Sequence, residues 1–186
     1  MRARTAGAVL AAMLLTLLIV GAHRAEADRR HGGSTVDDLL ALDAKPFAIG
    51  HRGFGENLGE DPSRPIENTV KAVRWGFKAG VSVVEVDVQV TKDHEVVAYH
   101  DDFLSDLTCL NSLTQAELQE RLPFIRTLRA VLDEAKRFNE RSEHLSGLVI
   151  IELKAPAPLC DPDDSQEQAL VKTVRTSCAM PTCPTR

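Results

Sequence analysis

The sequence lacks a basic stripe and is poor in aromatic residues. Its 22 Lys and Arg residues are outnumbered by 27 Asp and Glu residues, the formal net charge is -5, and aromatic residues make up 4% of the 186 residues. Nucleic-acid-binding proteins concentrate positive charge on one face or along one helix. The composition therefore argues against a nucleic-acid partner, and the length predicts a single domain.

Long hydrophobic runs are also missing, except near the start of the chain. Arg2 and Arg4 precede a run of apolar and small residues at 6–22, and an A-x-A cleavage site ends at Ala27. A membrane span needs about 20 apolar residues, so this run is short for an anchor. The pattern predicts a signal peptide over residues 1–27, a secreted or periplasmic protein, and no membrane span after cleavage. No cysteine directly follows the cleavage site, so nothing there indicates a lipid anchor.

Cysteine is scarce, and its four positions are Cys109, Cys160, Cys178 and Cys183. Export implies an oxidising compartment, where four cysteines permit up to two disulfides in three possible pairings. A zinc site is the alternative. The spacing of Cys178 and Cys183 is wider than in the usual zinc knuckle, and no histidine follows. The sequence therefore favours disulfides and leaves their pairing open.

Predicted strands and helices alternate along the rest of the chain. After a leader at residues 28–44, we predict a domain over residues 45–176 and an unpatterned tail over residues 177–186. The predicted strands are 47–50, 81–90, 96–99 and 147–153, and the predicted helices begin near residues 69, 114, 128 and 166. This alternation predicts βαβ units and a parallel sheet.

The second predicted strand carries valine at every second position from 84 to 90, with Glu85 and Asp87 between the valines. Successive side chains of a strand point to opposite faces, so the two carboxylates share a face. One interpretation is a hard-cation site or acid/base chemistry. The other is an antiparallel strand with one wet, polar face.

Polar residues also lie at the ends of the other strands. They are His51 and Arg52 after the first strand, His100 after the hairpin, and Glu152 and Lys154 at the end of the last strand. In folds of alternating strands and helices, functional residues gather at the carboxyl ends of the strands. A purely structural explanation requires four independent coincidences, so the sequence favours a site.

These motifs, taken in order, resemble the glycerophosphodiester phosphodiesterase family. The motifs are His51-Arg52-Gly53, Glu67-Asn68-Thr69, Glu85-x-Asp87, Thr91-Lys92-Asp93, His100-Asp101 and Glu152-x-Lys154. The resemblance implies an α/β fold of the (β/α)8 barrel type and hydrolysis of a glycerophosphodiester to glycerol 3-phosphate and an alcohol. It also implies one divalent cation, Ca²⁺ or Mg²⁺, and a small glycerophosphodiester or lysophospholipid-like substrate.

The resemblance further implies a role for each site residue. The expected metal ligands are Glu85, Asp87 and Glu152. The expected acid and base are His51 and His100. The residues expected to bind the phosphate or to support its binding are Arg52, Lys154, Glu67 and Asn68. Carboxylates suit a hard cation, and imidazoles both take and give protons near neutral pH. Asn68 has an alternative role as the cap of the following helix.

The chain is shorter than the family fold requires. A barrel of this kind typically needs about 250 residues, and only 32 residues follow Lys154. We therefore expect the N-terminal half to two-thirds of a barrel, with the strand at 147–153 as an exposed edge and low stability for the isolated chain. The alternatives are a sphingomyelinase- or phospholipase D-like relative on the same scaffold, and an inactive half-barrel.

Two further expectations follow from the resemblance. Cys109 and Cys160 lie in loops that a barrel places on its catalytic face, so we expect a disulfide between them. His94 stands in a turn where the family usually carries glycine, and it is strained there if its φ is positive.

Overall fold

The computed structural model describes residues 47–142 and 147–178 of the chain. Its elements, in chain order, are β1 (Ile49–Gly50), α1 (Val70–Lys78), β2 (Val83–Val90), β3 (Val96–Ala98), a 3-10 turn (Leu110–Ser112), α2 (Gln115–Arg121), α3 (Leu128–Arg141), β4 (Leu148–Leu153) and α4 (Ser165–Cys178). The predicted signal peptide at 1–27, the leader at 28–44 and nearly all of the predicted tail lie outside the described residues. Within the described ranges, no helix is long and apolar enough to cross a membrane.

Strand β2 is the centre of a four-stranded sheet. It pairs in parallel with β4, with Asp87 opposite Glu152. Along its other edge it pairs in parallel with β1, with Gly50 opposite Val84, and antiparallel with β3. Because β1, β2 and β4 are parallel, their carboxyl ends lie at the same edge of the sheet.

All eight residues of β2 are buried. Its valines at even positions pack in the main hydrophobic core with Phe77 of α1, Val131 of α3 and Leu170 of α4. Helices therefore cover one face of the sheet, and the side chains at odd positions from Glu85 onward point to the opposite face. The interpretation of β2 as a strand with a wet face is wrong, since Glu85 and Asp87 are only 8% and 2% exposed.

Side-chain caps define where the helices begin. Thr69 caps α1 by accepting a hydrogen bond from the Ala72 N–H, and Thr114 and Glu117 form a capping box at the start of α2. The alternative role of Asn68 as the cap is wrong, because its side chain instead contacts Asp87 on β2 at 3.0 Å. The Asn68 side chain therefore contributes to the site and not to the helix cap.

A tight turn after β1 carries the first site residues toward β2. Gly53 has a φ of +88°, and a Cβ at this position would lie 2.7 Å from the backbone of Ala72. Only glycine tolerates both constraints without strain. The Gly53 N–H donates to the Glu85 carbonyl at 2.9 Å. The turn therefore fits between α1 and β2 and brings His51 and Arg52 close to Glu85.

His94, in the turn between β2 and β3, has a φ of +62°. A left-handed conformation costs an L-residue about 1–2 kcal/mol, whereas glycine loses about 0.5–1 kcal/mol more through backbone entropy. We expect His94→Gly to raise the free energy of unfolding by about 0.5–1 kcal/mol, as measured by urea denaturation. Glu95→Gly, in the same turn but without a positive φ, is the control and should destabilise the protein. A stabilisation by both changes would contradict the explanation.

A disulfide joins Cys109, in the loop after β3, to Cys160, in the loop after β4, and 51 positions separate the two residues. Hydrogen bonds reinforce the connection. The Asn111 side-chain amide donates to the Cys160 carbonyl at 2.9 Å, and the Ala157 N–H donates to the Asp102 carboxylate at 3.1 Å. The pair that the structure joins is the pair expected from the sequence.

Replacing both cysteines, as Cys109→Ser with Cys160→Ser, is expected to lower the free energy of unfolding by about 2–4 kcal/mol. The reason is that the bond restricts the unfolded chain across a long loop. Urea denaturation of the oxidised wild type and of the double variant measures the difference. Reduction of the wild type with dithiothreitol should reproduce the loss. Equal stability of oxidised and reduced protein would contradict a stabilising bond.

Strand β4 forms the edge of the described sheet. Among the described strands it pairs only with β2, and its residues Ile150 and Leu153 are 43% and 40% exposed. An unpaired apolar edge of this kind tends to pair with further chain. The structure thus agrees with the expectation that the strand at 147–153 is an exposed edge. Low stability of the isolated chain stays a prediction, which a thermal melt can test.

Candidate active site

Three carboxylates from two neighbouring strands converge on the face of the sheet opposite the helices. Glu85 and Asp87 come from β2, and Glu152 lies opposite Asp87 on β4. One ligand oxygen from each residue lies within 4.8 Å of the others. The structure therefore brings together all three residues predicted as metal ligands.

One buried oxygen of Glu85 supports the fit of this cluster to a cation. Among the described residues, the buried Glu85 Oε1 has no hydrogen-bond partner, whereas Glu85 Oε2 accepts a hydrogen bond from the Arg52 N–H at 2.8 Å. Leaving a buried carboxylate oxygen unpaired is unfavourable. Calcium binds oxygens at about 2.3–2.6 Å, so two ligands of one ion are at most about 5 Å apart. The three carboxylates satisfy this limit, and the residues fit a divalent cation.

The carboxylates differ in their electrostatic surroundings. Burial raises the pKa of Glu85, in spite of the hydrogen bond from the Arg52 N–H, and the charge of Asp87 adds to the rise. A hydrogen bond from the Lys154 ammonium, at 3.0 Å, lowers the pKa of Glu152. An added positive charge therefore favours the ionised form of Glu85, which burial disfavours.

Arg52 links the carboxylate cluster to the loop that precedes α1. Its guanidinium donates to Glu67 at 2.8 Å, and its Nε lies 3.4 Å from Asp87 Oδ2. Burial acts to lower the pKa of Arg52, but Glu67 and Asp87 raise it overall, so the guanidinium keeps its charge. The second Glu67 oxygen accepts from the Asn57 N–H at 2.9 Å. With both oxygens engaged, Glu67 supports Arg52.

Asn68 holds Asp87 through both ends of its amide. Its Nδ2 donates to the Asp87 carboxylate at 3.0 Å, and its Oδ1 accepts from the Asp87 N–H at 3.0 Å. Arg52 and Asn68 have φ angles of +49° and +55°. Such strained non-glycine residues cluster at functional sites. Asn68, which is 1% exposed, therefore lies in a supporting position.

Lys154 connects the carboxylates to the second histidine. Its Nζ lies 3.0 Å from Glu152 Oε1, 3.7 Å from Asp87 Oδ1 and 3.3 Å from His100 Nε2. Partial burial acts to lower the pKa of Lys154, but the two carboxylates raise it overall. An ammonium group only donates, so His100 Nε2 accepts. The ring hydrogen then lies on Nδ1, which is 2.7 Å from Asp101 Oδ1.

His51 reaches the cluster from a different strand. Its Nε2 lies 4.0 Å from Glu85 Oε2, and its Nδ1 lies 3.9 Å from Glu56 Oε1. The His51 side chain is 55% exposed, against 30% for His100. The turn after β1 and the segment after β3 thus each deliver one of the two predicted acid/base residues.

An open cleft of about 490 Å³ borders the second histidine. Its lining consists of six residues: His100, Asp101, Asp102, Phe103, Lys154 and Ala155. A volume of this size accommodates a small ligand. The cleft therefore leaves His100 and Lys154 accessible to a small ligand.

Sequence reasoning assigned no role to three residues that surround the site. Asp101 contacts the His100 ring, the Asn57 N–H supports Glu67, and the Gln89 side chain donates to the backbone after β3. Gln89 shares the face of Glu85 and Asp87, and this alternation is the signal that points to it. The contacts of Asp101 and Asn57 depend on loop conformation, so no pattern in the sequence points to them.

Comparisons with known proteins identify a family and several relatives. Residues 51–156, more than half of the chain, match the model of the glycerophosphoryl diester phosphodiesterase family. A segment of 54 residues is 52% identical to a glycerophosphocholine phosphodiesterase of Candida albicans and covers 28% of this chain and 5% of that protein. A segment of 64 residues is 41% identical to a lysophospholipase D of Homo sapiens and covers 34% of this chain and 18% of that protein.

Among solved structures, the chain is similar to a glycerophosphodiester phosphodiesterase from Thermotoga maritima, with a TM-score of 0.53 and 25% identity. The likeness covers 73% of this chain and 50% of that chain, so this chain spans about half of the solved relative. The predicted fold class is confirmed, and the described elements form part of a (β/α)8 barrel. The match over residues 51–156 includes both histidines, the three carboxylates and Lys154. The chain therefore belongs to the glycerophosphoryl diester phosphodiesterase family.

Proposed function

We propose that this chain hydrolyses a glycerophosphodiester to glycerol 3-phosphate and an alcohol, with the help of one divalent cation, as a step in lipid metabolism. The observation that carries the proposal is the convergence of Glu85, Asp87 and Glu152, where one buried oxygen of Glu85 has no partner within the described ranges. Two histidines adjoin the cluster, His51 directly and His100 through Lys154. A hard-cation site beside two proton-transfer groups suits a phosphodiester, whose cleavage develops negative charge.

The cation would be held by Glu85, Asp87 and Glu152, and when bound it neutralises negative charge on the phosphoryl oxygens. Carboxylate oxygens suit hard cations, and one oxygen from each of the three residues lies within 4.8 Å of the others. We propose Ca²⁺ or Mg²⁺ as the ion, and Ca²⁺ is the probe used in the tests below.

Arg52 and Lys154 supply further positive charge for the phosphate. Their side chains are 14% and 23% exposed, and carboxylates hold both of them in place. Glu67 fixes the Arg52 guanidinium at 2.8 Å, and Glu152 fixes the Lys154 ammonium at 3.0 Å. Charges that are already oriented before the substrate binds stabilise developing negative charge effectively.

The two histidines divide the proton transfers. One imidazole takes the proton of the attacking water or hydroxyl as the new bond from oxygen to phosphorus forms. The other gives a proton to the alcohol oxygen as its bond to phosphorus breaks. His100 Nε2, which accepts from Lys154 at 3.3 Å, is suited to the role of base. His51, which is more exposed, is then the acid.

The names of two relatives support the substrate class. One is a glycerophosphocholine phosphodiesterase and another is a lysophospholipase D. The cleft next to His100 contains Phe103 and Ala155 beside its polar residues, so it offers both polar and apolar contacts. We propose a glycerophosphocholine-like diester as the substrate and a lysophospholipid-like diester as the second candidate.

The test is hydrolysis of glycerophosphocholine by the full chain, followed as release of glycerol 3-phosphate before chelation, after chelation and after the return of Ca²⁺. We expect release to stop on chelation and to recover with the cation. Parallel assays with lysophosphatidylcholine and sphingomyelin separate the other candidates. Turnover of sphingomyelin alone would favour the sphingomyelinase-like alternative. No turnover by a protein that still binds the cation would favour the inactive half-barrel.

Export remains part of the proposal, because the first residues form a signal-peptide pattern. We expect the mature chain to begin at Asp28, directly after the A-x-A site. N-terminal sequencing of protein from the culture medium or periplasm checks this expectation. A mature chain that retains residues 1–27 would indicate an anchor instead.

A further inference from the structure

We propose that Gln89 is a positioning residue for His100, because its buried side-chain amide fixes the backbone segment that carries the imidazole. The proposal rests on the proposed function only for the role of His100 in catalysis. The positioning itself rests on contacts among described residues. It adds to the site a residue that belongs neither to the carboxylate cluster nor to the lining of the cleft.

The contacts of Gln89 converge on three consecutive carbonyl groups. Its Nε2 lies 2.7 Å from the Asp101 carbonyl, 3.0 Å from the His100 carbonyl and 3.4 Å from the Tyr99 carbonyl. These residues follow β3, which ends at Ala98, and lie outside any strand. A carboxamide nitrogen carries two hydrogens, so the three carbonyls share them. The Gln89 side chain thus supplies hydrogen bonds to carbonyl groups that lie beyond the end of strand β3.

Because Gln89 is buried, loss of these hydrogen bonds is energetically unfavourable. Gln89 is 2% exposed and lies on β2, two residues after Asp87. A buried amide that loses its acceptors is unfavourable, and so are buried carbonyls that lose their donor. The side chain and the segment therefore hold each other in one conformation. The Tyr99 N–H adds a contact to the Asp87 carbonyl at 3.1 Å, which ties the same segment to the strand of the carboxylates.

The conformation of this segment determines what the His100 ring contacts. Nδ1 lies 2.7 Å from Asp101 Oδ1, and Nε2 lies 3.3 Å from Lys154 Nζ. Both contacts require the hydrogen on Nδ1 and a lone pair on Nε2. If the segment shifts, the ring loses the partners that select this tautomer. Gln89 therefore acts on His100 through the backbone, without touching the ring.

The first test uses nuclear magnetic resonance on the full chain and needs no turnover. In Gln89→Met, which keeps the volume but removes the donor, we expect faster exchange of the Tyr99 amide hydrogen. We also expect a shift in the ¹⁵N resonances of His100 away from the pure Nδ1–H tautomer, at about pH 8.5, above the ordinary titration range of histidine. Gln89→Asn, which keeps an amide but shortens its reach, should shift both readouts in the same direction.

The matched control is Asn139 of α3, on the other face of the sheet, whose side-chain amide also contacts the backbone. Its Nδ2 donates to the Gly147 carbonyl at 3.1 Å. Asn139→Leu should disturb that contact and leave the His100 tautomer unchanged. An unchanged tautomer and unchanged Tyr99 exchange in both Gln89 variants would overturn the proposal. An equal tautomer shift in Asn139→Leu would also overturn it.

Kinetics give a second readout. With glycerophosphocholine as substrate, Gln89→Met should lower kcat on the order of 10²-fold, as misplacement of a reacting group does, with little change in KM. A change in KM alone would contradict positioning. Turnover by His100→Ala near the wild-type rate would remove the catalytic role of His100. In that case the tautomer shift in Gln89→Met would still stand, so the two failures are distinguishable.

Discussion

Replacement of Asp87 by asparagine is expected to lower both cation affinity and turnover by more than 10²-fold, because changes to groups that merely orient metal ligands already cost about 10- to 100-fold. Asp87 is 2% exposed and lies in the cluster with Glu85 and Glu152. The substitution removes one of three negative charges with little change of shape. Calorimetric titration with Ca²⁺ measures the affinity, and glycerol 3-phosphate release measures turnover.

The Asp87 substitution needs controls because the carboxylate also accepts a hydrogen bond from the Asn68 side chain and lies near Lys154. Glu152→Gln is the second variant, since the Glu152 side chain is 54% exposed and disturbs the fold less. Asp133→Asn, on the helix α3 that covers the other face of β2, is the matched control and should bind Ca²⁺ like the wild type. Unchanged affinity in Asp87→Asn would remove this residue from the ligand set.

His51→Ala and His100→Ala are each expected to lower kcat by about 10²- to 10⁴-fold, the usual contribution of a positioned acid or base. Cation affinity should change much less, because neither imidazole belongs to the carboxylate cluster. Steady-state kinetics with glycerophosphocholine, together with calorimetric Ca²⁺ titration, measure both quantities. His94→Ala, which changes an exposed histidine in the turn between β2 and β3, is the control and should retain the wild-type rate.

The two histidine variants also distinguish catalysis from binding. A histidine that only hydrogen-bonds the phosphate would, when replaced, raise KM and leave kcat near the wild-type value. Near-normal kcat in His51→Ala would contradict the two-histidine mechanism, and near-normal kcat in His100→Ala would remove that residue as the base. A loss of Ca²⁺ affinity as large as in Asp87→Asn would indicate that the histidine is itself a ligand.

The arrangement of β2 could be predicted from the sequence because it depends on a local rule. Alternation of valine with Glu85 and Asp87 assigns the side chains to two faces wherever the strand lies. The cap at Thr69 and the capping box of α2 are local in the same sense. Burial of the carboxylate face was not predictable in this way, because it depends on Arg52, Asn68 and Lys154, which come from other parts of the chain.

The contacts around His100 show where local rules end. His100 and Lys154 are 54 positions apart, and their contact depends on the pairing of β2 with β3 and with β4. The sequence allowed two roles for Asn68, as a helix cap or as a site residue. Its contact with Asp87 occurs together with a positive φ of +55°, and this angle is a property of the folded turn. Gln89 belongs to the predictable face of β2, but the carbonyls that it contacts lie beyond the end of β3.

The account depends most on the claim that the three carboxylates form one cation site. Its most direct test is calorimetric titration of Ca²⁺ into the full chain after chelation, with wild type, Asp87→Asn and Glu152→Gln side by side. We expect one ion per wild-type chain and loss of binding in both variants. No binding to a folded wild-type chain, or equal binding in all three proteins, would contradict the claim.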